Sequence, residues 1–142
     1  MKLLVILDTN ALVSALIRRR AMSPPARILR AAFTDSVSLI TSGDLVDEYR
    51  RVLPRPSLVR FHGLSPTGVD RVILSLAAAA TSIDPPPCGV PCPDPRDQHL
   101  WDLLAASPGA ILVTGESLLL TNPPAFDRVM TPRQFVDEFL PA

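Results

Sequence analysis

Four acidic residues stand where carboxylates from distant parts of the chain can converge: Asp8, Glu48, Asp97 and Glu116. Asp8 follows the apolar run LLVIL, and Glu116 follows AILVTG, so each comes just past the end of a predicted strand. In open parallel sheets, functional side chains gather at the carboxyl ends of the strands. The sequence therefore predicts that Asp8 and Glu116 lie at the same edge of a sheet.

The other two acids are placed by helical spacing. Glu48 lies three residues after Leu45 and four before Val52, which puts it on the apolar stripe of a predicted helix. Asp97 stands in the same relation to Leu100, three residues further on. Both carboxylates are therefore expected to point inward and not into solvent.

A cluster of inward-facing acids has a definite chemical requirement. A lone buried carboxylate is costly, and neighbouring like charges raise one another's pKa, so the cluster needs a compensating cation. Carboxylate oxygens suit Mg²⁺ or Mn²⁺, and the hydrolysis of a phosphodiester uses such ions to activate water and stabilise the leaving oxygen. The pattern predicts a divalent-metal site.

Each acid also has a purely structural alternative. Asp94 precedes a proline and is better explained as a helix N-cap than as a metal ligand. For Asp8 the alternative is a cap of the helix that begins near Asn10, and for Asp97 it is a position in the first turn of a helix. For Glu48 it is an ion pair with Arg51 or Arg55, and for Glu116 it is an exposed loop.

Strands alternate with helices along the chain, which predicts one domain over residues 1–142, a three-layer α/β/α sandwich with a central, mostly parallel sheet. The predicted strands are Leu3–Leu7, Val37–Thr41, a brief one at Thr81–Asp84, Ala110–Thr114 and one near Val129. Four helices are predicted with both ends: Asn10 to about Arg18, Pro24 (after a Ser23 cap) to about Phe33, Ser42 to a stop at Pro54 and Pro56, and Ser65–Pro66 to about Ala80. Two more helices are predicted from their starts, one at Asp94 and one at a capping box formed by Thr131 and Gln134.

Composition limits how a polyanion can be bound. The 14 basic and 14 acidic residues give a formal net charge of zero, so any nucleic acid must be held by local charge. Aromatic residues make up only 5% of the chain, which leaves little material for stacking on bases. The candidate contacts are the run Arg18, Arg19 and Arg20 and a second stretch of Arg50, Arg51, Arg55 and Arg60, although either can simply be solvated.

Location and redox state are inferred from short segments. The apolar start MKLLVIL is interrupted by Asp8 too early for an export signal, and no apolar stretch approaches the roughly 20 residues of a membrane helix. A cytoplasmic location is expected. Cys88 and Cys92 could close a small disulfide or supply half of a metal site, but His62 and His99 lack zinc-site spacing to them, so we interpret these cysteines as incidental and reduced.

An ordered set of motifs carries a family resemblance. LDTN follows the first strand, Glu48 lies in mid-helix, DPRDQHL opens a later helix, and LVTG precedes an acid. In this order and spacing they resemble the PIN-domain ribonucleases, and most of all the VapC-like toxins of bacterial toxin–antitoxin modules. The resemblance covers nearly the whole chain, including SPPARILRAA, LVDEYRRVL and MTPRQFVDEF.

The resemblance implies a metal-dependent endoribonuclease with Mg²⁺ or Mn²⁺ as cofactor, RNA as substrate and a cognate antitoxin as partner. Relatives are often homodimers, and exposed apolar residues such as Leu58, Val59 and Phe61 are candidates for that contact. The implied catalytic and metal-binding set is Asp8, Glu48, Asp97 and Glu116, with Asn10 orienting the site, Thr114 placing water and Asp94 beside them.

Two positions depart from the family pattern. Glu116 stands where relatives usually have aspartate, and Leu118 stands where many have a second acid. Losing that acid lowers the negative charge available to a second ion, so one bound metal is expected instead of two. An alternative follows, in which the chain is a catalytically weakened or inactive PIN-like binding protein.

The sequence disfavours two other α/β classes that have an aspartate after the first strand. Haloacid-dehalogenase-type phosphatases and receiver domains rely on a downstream lysine, whereas Lys2 is the only lysine of this chain. The sequence also contains no glycine-rich phosphate loop or dinucleotide-binding fingerprint.

Overall fold

A five-stranded sheet, in which all neighbouring strands are parallel, forms the centre of the protein. In this computed structural model, the residues described are 2–34, 36–125 and 128–141. The strand order is β3-β2-β1-β4-β5, with β1 Leu3–Leu7, β2 Val37–Thr41, β3 Thr81–Ser82, β4 Ala110–Val113 and β5 Val129–Met130. The predicted α/β fold with a central parallel sheet is confirmed.

Helices connect the strands and flank the sheet. They are α1 Thr9–Ile17, α2 Pro24–Phe33, α3 Gly43–Val52, α4 Pro56–His62, α5 Pro66–Ala79, α6 Gln98–Ala105, α7 Ser117–Thr121 and α8 Pro132–Phe139, with a 3₁₀ turn at Pro95–Asp97. The chain winds outward from β1 through β2 to β3, then returns to place β4 on the other side of β1. The β1–β4 boundary is therefore the point where strand order reverses, which is where α/β sheets bind ligands.

The two central strands end together. Leu7 of β1 is in register with Val113 of β4, and both side chains are buried. The next residue after β1, Asp8, donates its backbone N–H to the carbonyl of Val113 at 3.0 Å. Residues that follow these strands must therefore lie side by side.

Several predicted helix starts are confirmed by their caps. The Ser42 hydroxyl accepts a hydrogen bond from the N–H of Leu45 at 3.2 Å, and Thr131 and Gln134 form both bonds of a capping box. Ser23 occupies the N-cap of α2, but its hydroxyl makes no capping bond, so Pro24 at the first helical position defines that start.

The prediction that Pro54 and Pro56 simply end a helix was incomplete. Pro56 instead opens α4, because proline is well tolerated at the first position of a helix. Gly63, at φ +69°, ends α4 in the left-handed conformation. Of the three apolar residues expected to be exposed, only Phe61 is, at 57%, whereas Leu58 and Val59 are half-buried, which corrects that expectation.

Other boundaries also differ from prediction. Asp94 opens a 3₁₀ turn before α6 begins at Gln98, and α7 was not predicted because five residues give too little periodicity. The strand expected over Thr81–Asp84 is only two residues long. In the described part of the chain, no helix is both long enough and apolar enough to cross a membrane.

The loop at residues 85–93 is held against α6 by hydrogen bonds. Gln98 accepts from the N–H of Cys92 at 2.8 Å and donates to the carbonyl of Val90 at 2.9 Å. Asp102 accepts from the N–H of Cys88 at 3.1 Å. Both cysteines are free thiols and form no disulfide with each other. The loop is thereby fixed beside the turn that carries Asp97.

A tyrosine joins α3 to the end of β1. Tyr49 is 2% exposed, and its hydroxyl donates a hydrogen bond to the carbonyl of Leu7. Because Leu7 precedes Asp8 and Tyr49 follows Glu48, this bond fixes the separation between the two segments that carry those acids. Burial raises the pKa of the Tyr49 phenol, so it stays a hydrogen-bond donor.

Replacing Tyr49 by Phe tests this connection. We expect Tyr49→Phe to lower the free energy of unfolding by about 1–3 kcal/mol, because a buried carbonyl loses its donor. Thr67→Val, which removes an exposed hydroxyl from α5, should change it by less than about 0.5 kcal/mol. Urea unfolding measures both. Equal unfolding midpoints for Tyr49→Phe and wild type would contradict the connection.

Candidate metal centre

An open cleft of about 380 Å³ lies at the carboxyl ends of β1 and β4. It contains all four acids that the sequence singled out, although they come from four distant segments of the chain. Its lining consists of Asp8, Thr9, Asn10, Glu48, Arg51, Val52, Arg55, Asp94, Arg96, Asp97 and Glu116. The cleft therefore combines five carboxylates with three guanidinium groups.

Asp8 is the most buried acid of the cleft, at 4% exposed. It is the N-cap of α1, where its Oδ1 accepts the N–H of Thr9 at 2.7 Å, and its Oδ2 accepts the hydroxyl of Thr114 at 2.6 Å. Burial raises the pKa of the Asp8 carboxyl, and these hydrogen bonds offset only part of that effect. Asp8 therefore caps α1, as its structural alternative predicted, and also lies in the cleft.

Thr114 links the two acids that follow the central strands. This side chain is fully buried, donates to Asp8, and accepts the backbone N–H of Glu116 at 3.0 Å. Asn10 Nδ2 lies 3.4 Å from Glu116 Oε2 and donates to it. Glu116 is the N-cap residue of α7 without a capping bond, so its carboxylate is available to the cleft.

Glu48 pairs with a histidine and not with the arginines considered from sequence. Its Oε2 lies 3.3 Å from His99 Nε2. The pKa of Glu48 is lowered, mainly by His99 and against the effect of burial. Burial, the largest single effect, would lower the pKa of the His99 imidazole, but the carboxylates of Glu48, Asp97 and Asp44 together outweigh it and raise that pKa.

Asp97 is the acid whose charge is least compensated. It ends the 3₁₀ turn and is the N-cap residue of α6, again without a capping bond. Burial, followed by repulsion from Asp8 and the other carboxylates, raises its pKa to about 6. The cleft is therefore short of positive charge around Asp97.

Asp94 is an N-cap, as predicted. Its Oδ1 accepts the N–H of Arg96 at 2.9 Å, and its two oxygens accept from the Arg96 guanidinium at 3.3 and 3.1 Å. This pairing lowers the pKa of Asp94. Its carboxylate is thus largely used within its own turn.

The donor atoms present fit a divalent cation. Glu48, Asp97 and His99 each offer one ligand atom within 4.8 Å of the others. Three buried polar atoms nearby have no hydrogen-bond partner among the described residues, namely Glu48 Oε2, His99 Nδ1 and Thr9 Oγ1. Glu48 Oε2 is within ion-pair distance of His99 but is not aligned for a hydrogen bond, so it keeps a lone pair free.

His99 is the residue that sequence reasoning missed. It was weighed only against the cysteines, whereas its position two residues after Asp97, in the first turn of α6, was the available signal. Its contact with Glu48 joins α6 to α3, and no local pattern encodes that tertiary contact.

The run Arg18, Arg19 and Arg20 does not line the cleft. The guanidinium of Arg19 donates to the carbonyls of Leu16 at 2.6 Å and His62 at 3.0 Å, so it connects α1 to α4. Leu118 is 42% exposed on α7 and supplies no ligand atom.

Comparison with known proteins identifies one family. The family model of the PIN domain matches residues 4–117, a range that includes every residue lining the cleft. Neither a curated protein nor a solved structure matches the chain significantly.

The raised pKa of Asp97 predicts how stability depends on pH when no metal is bound. A carboxyl whose pKa rises from 3.8 to about 6 on folding stabilises the protein below about pH 4, and this contribution is lost as pH rises through 6. In EDTA, Asp97→Asn should therefore raise the melting temperature relative to wild type more at pH 7.5 than at pH 5.

Asp47→Asn is the matched control. Asp47 lies on the exposed face of α3 and does not line the cleft, so removing its charge should change the melting temperature by the same small amount at both pH values. Thermal unfolding of the three proteins measures this. An equal effect of Asp97→Asn at pH 5 and 7.5 would disprove the assignment of uncompensated charge to Asp97.

Proposed function

The chain belongs to the PIN-domain family, whose members are generally nucleases, and we propose that its acidic cleft is the active site of a divalent-metal-dependent endoribonuclease. The observation that carries the proposal is the convergence of Asp8, Glu48, Asp97 and Glu116 on one cleft at the strand-order reversal. Acids from four segments would repel one another there, and a cation is the simplest compensation.

The proposed ligands of this cation are Asp8, Glu48, Asp97 and Glu116, joined by His99. A divalent ion, Mg²⁺ or Mn²⁺, supplies the charge that activates water and stabilises the leaving oxygen of a phosphodiester. Thr114 and the N–H of Thr9 hold the Asp8 carboxylate in one orientation, and Asn10 orients Glu116. Because Leu118 adds no acid, we propose one firmly bound ion and not two.

The toxin role is a further part of the proposal. It is supported by the resemblance of the ordered motifs to VapC-like toxins, and it implies a cytoplasmic protein that acts on RNA and is held by an antitoxin. Of Leu58, Val59 and Phe61, only Phe61 is exposed, so it is the one of these three that stays a candidate for a contact between two copies of the chain. A small antitoxin gene beside this one would support the role, and an isolated gene would count against it without affecting the nuclease proposal.

Loss of one carboxylate tests the nuclease proposal. Wild-type protein should cleave structured RNA with Mg²⁺ or Mn²⁺ and stop with EDTA. Asp8→Asn keeps a capping side chain for α1 but removes the charge, so we expect the cleavage rate to fall at least roughly 100-fold. Asp47→Asn, on the exposed face of α3, should leave the rate unchanged.

Two results would decide against catalysis. If wild type and Asp8→Asn cleave equally once contaminating nuclease is removed, the activity does not belong to this cleft. If wild type binds RNA and cleaves with neither ion, the alternative holds, and the chain is a PIN-like binding protein weakened by Glu116 and Leu118.

The imidazole of His99 predicts which ion binds more tightly. Mg²⁺ strongly prefers oxygen ligands, whereas a nitrogen donor favours first-row transition ions, so Mn²⁺ should raise the melting temperature more than Mg²⁺ at equal millimolar concentration. His99→Gln should abolish most of that difference. Comparing two ions within each protein cancels the effect of the substitution on basal stability. Equal shifts with both ions in wild type would contradict His99 as a ligand.

A further inference from the structure

We propose that Arg51 and Arg55 form the phosphate-binding edge of the cleft and grip the sugar–phosphate backbone of the RNA beside the acids. This inference rests on the proposed function, because it assumes that the cleft receives a nucleic acid. It divides the ambiguous stretch of Arg50, Arg51, Arg55 and Arg60 into two residues that face the cleft and two that do not.

Helix geometry places both arginines beside the acids. Arg51 lies one turn after Glu48 on the same face of α3, and Arg55 lies one turn further, at the corner between α3 and α4. Pro56 disfavours the helical conformation for the preceding residue, so α3 cannot continue straight through Arg55, which has φ −59° and ψ 130°. The side chains of both arginines line the cleft.

These guanidinium groups are available to a ligand. Both residues are exposed, and neither guanidinium makes a hydrogen bond or a close ion pair with any residue in the described ranges. Arg51 is near enough to Glu48 to help lower its pKa, but it forms no direct pair.

The other arginines of this surface are already engaged. Arg50 lies 3.7 Å from the carboxylate of Asp47, Arg60 stacks over the ring of Phe61 at 4.7 Å, and Arg96 is bound by Asp94. Arg51 and Arg55 are thus the two cleft arginines whose donors remain to be satisfied.

The negative charge of the cleft would repel RNA, and Arg51 and Arg55 can offset that repulsion. A phosphodiester that approaches five carboxylates is repelled, and a chain of zero net charge provides no long-range attraction to overcome this. A metal ion would neutralise only part of the cluster. Guanidinium groups bind phosphate oxygens through two parallel hydrogen bonds, so two free arginines on one wall supply fixed positive charge where the backbone must pass.

Salt dependence of RNA binding tests the proposal. Fluorescence anisotropy of a labelled single-stranded RNA is measured in EDTA, where a metal-dependent enzyme cannot cut, across a range of salt concentrations. Each phosphate contact contributes about 0.7 to the slope of log affinity against log salt, so Arg51→Ala and Arg55→Ala should each reduce the slope by about 0.7, and the double variant by about 1.4. Arg50→Ala and Arg60→Ala, matched in charge and exposure, should leave the slope unchanged.

Conservative variants separate charge from geometry. Arg51→Lys and Arg55→Lys keep the positive charge but lose the planar fork, so they should restore the slope while binding remains weaker than in wild type. In the cleavage assay with Mn²⁺, the double alanine variant should raise KM with little change in kcat, since a backbone grip acts on bound substrate and transition state alike.

The inference is overturned if wild type does not bind RNA, or if the double variant keeps the wild-type slope and KM. These results differ from failure of the proposed function. If RNA binding depends on Arg51 and Arg55 but no metal-dependent cleavage occurs, the nuclease proposal is refuted and the phosphate-binding role of the arginines stands. If cleavage is lost in Asp8→Asn but does not change when both arginines are replaced, the nuclease proposal stands and the phosphate-binding role is refuted.

Discussion

The parallel pairing of β1 with β4 is the constraint on which the site depends. Neighbouring strands of a sheet lie about 4.8 Å apart, so two strands that end in register must place the residues that follow them within contact distance. Here those residues are Asp8 and Thr114, joined by a hydrogen bond of 2.6 Å, with Glu116 attached to the same hydroxyl. The spacing between the first and last acids is thus inherited from the backbone and not from flexible side chains.

Burial of negative charge at this edge explains the remaining contacts of the cleft. Each carboxylate is compensated differently: Asp8 by hydrogen bonds from Thr9 and Thr114, Glu48 by His99, and Asp97 by nothing comparable. The helix α3 carries Glu48 inward because Tyr49 is tied to β1, so the position of one acid depends on the packing of its neighbour. The packing of the fold therefore determines where the charges of the site lie.

Local patterns in the sequence were enough to predict the sheet, several helix caps and the positions of the four acids. Apolar runs identify β1 and β4, and Asp94 followed by proline identifies a cap, because these signals are contained within a few residues. The role of Pro56 could not be predicted, since proline both ends and begins helices. The Glu48–His99 contact depends on how α3 and α6 pack, and it became visible only in three dimensions.

Three of the four acids share a feature that changes the electrostatic balance of the cleft. Asp8, Asp97 and Glu116 are the N-cap residues of α1, α6 and α7, so three helices begin at the cleft and direct their amide ends towards it. The macrodipole of a full-length helix places about half a positive charge at that end, and short helices place less. The backbone therefore contributes an attractive potential for anions that neither a chelator nor a change of pH can remove.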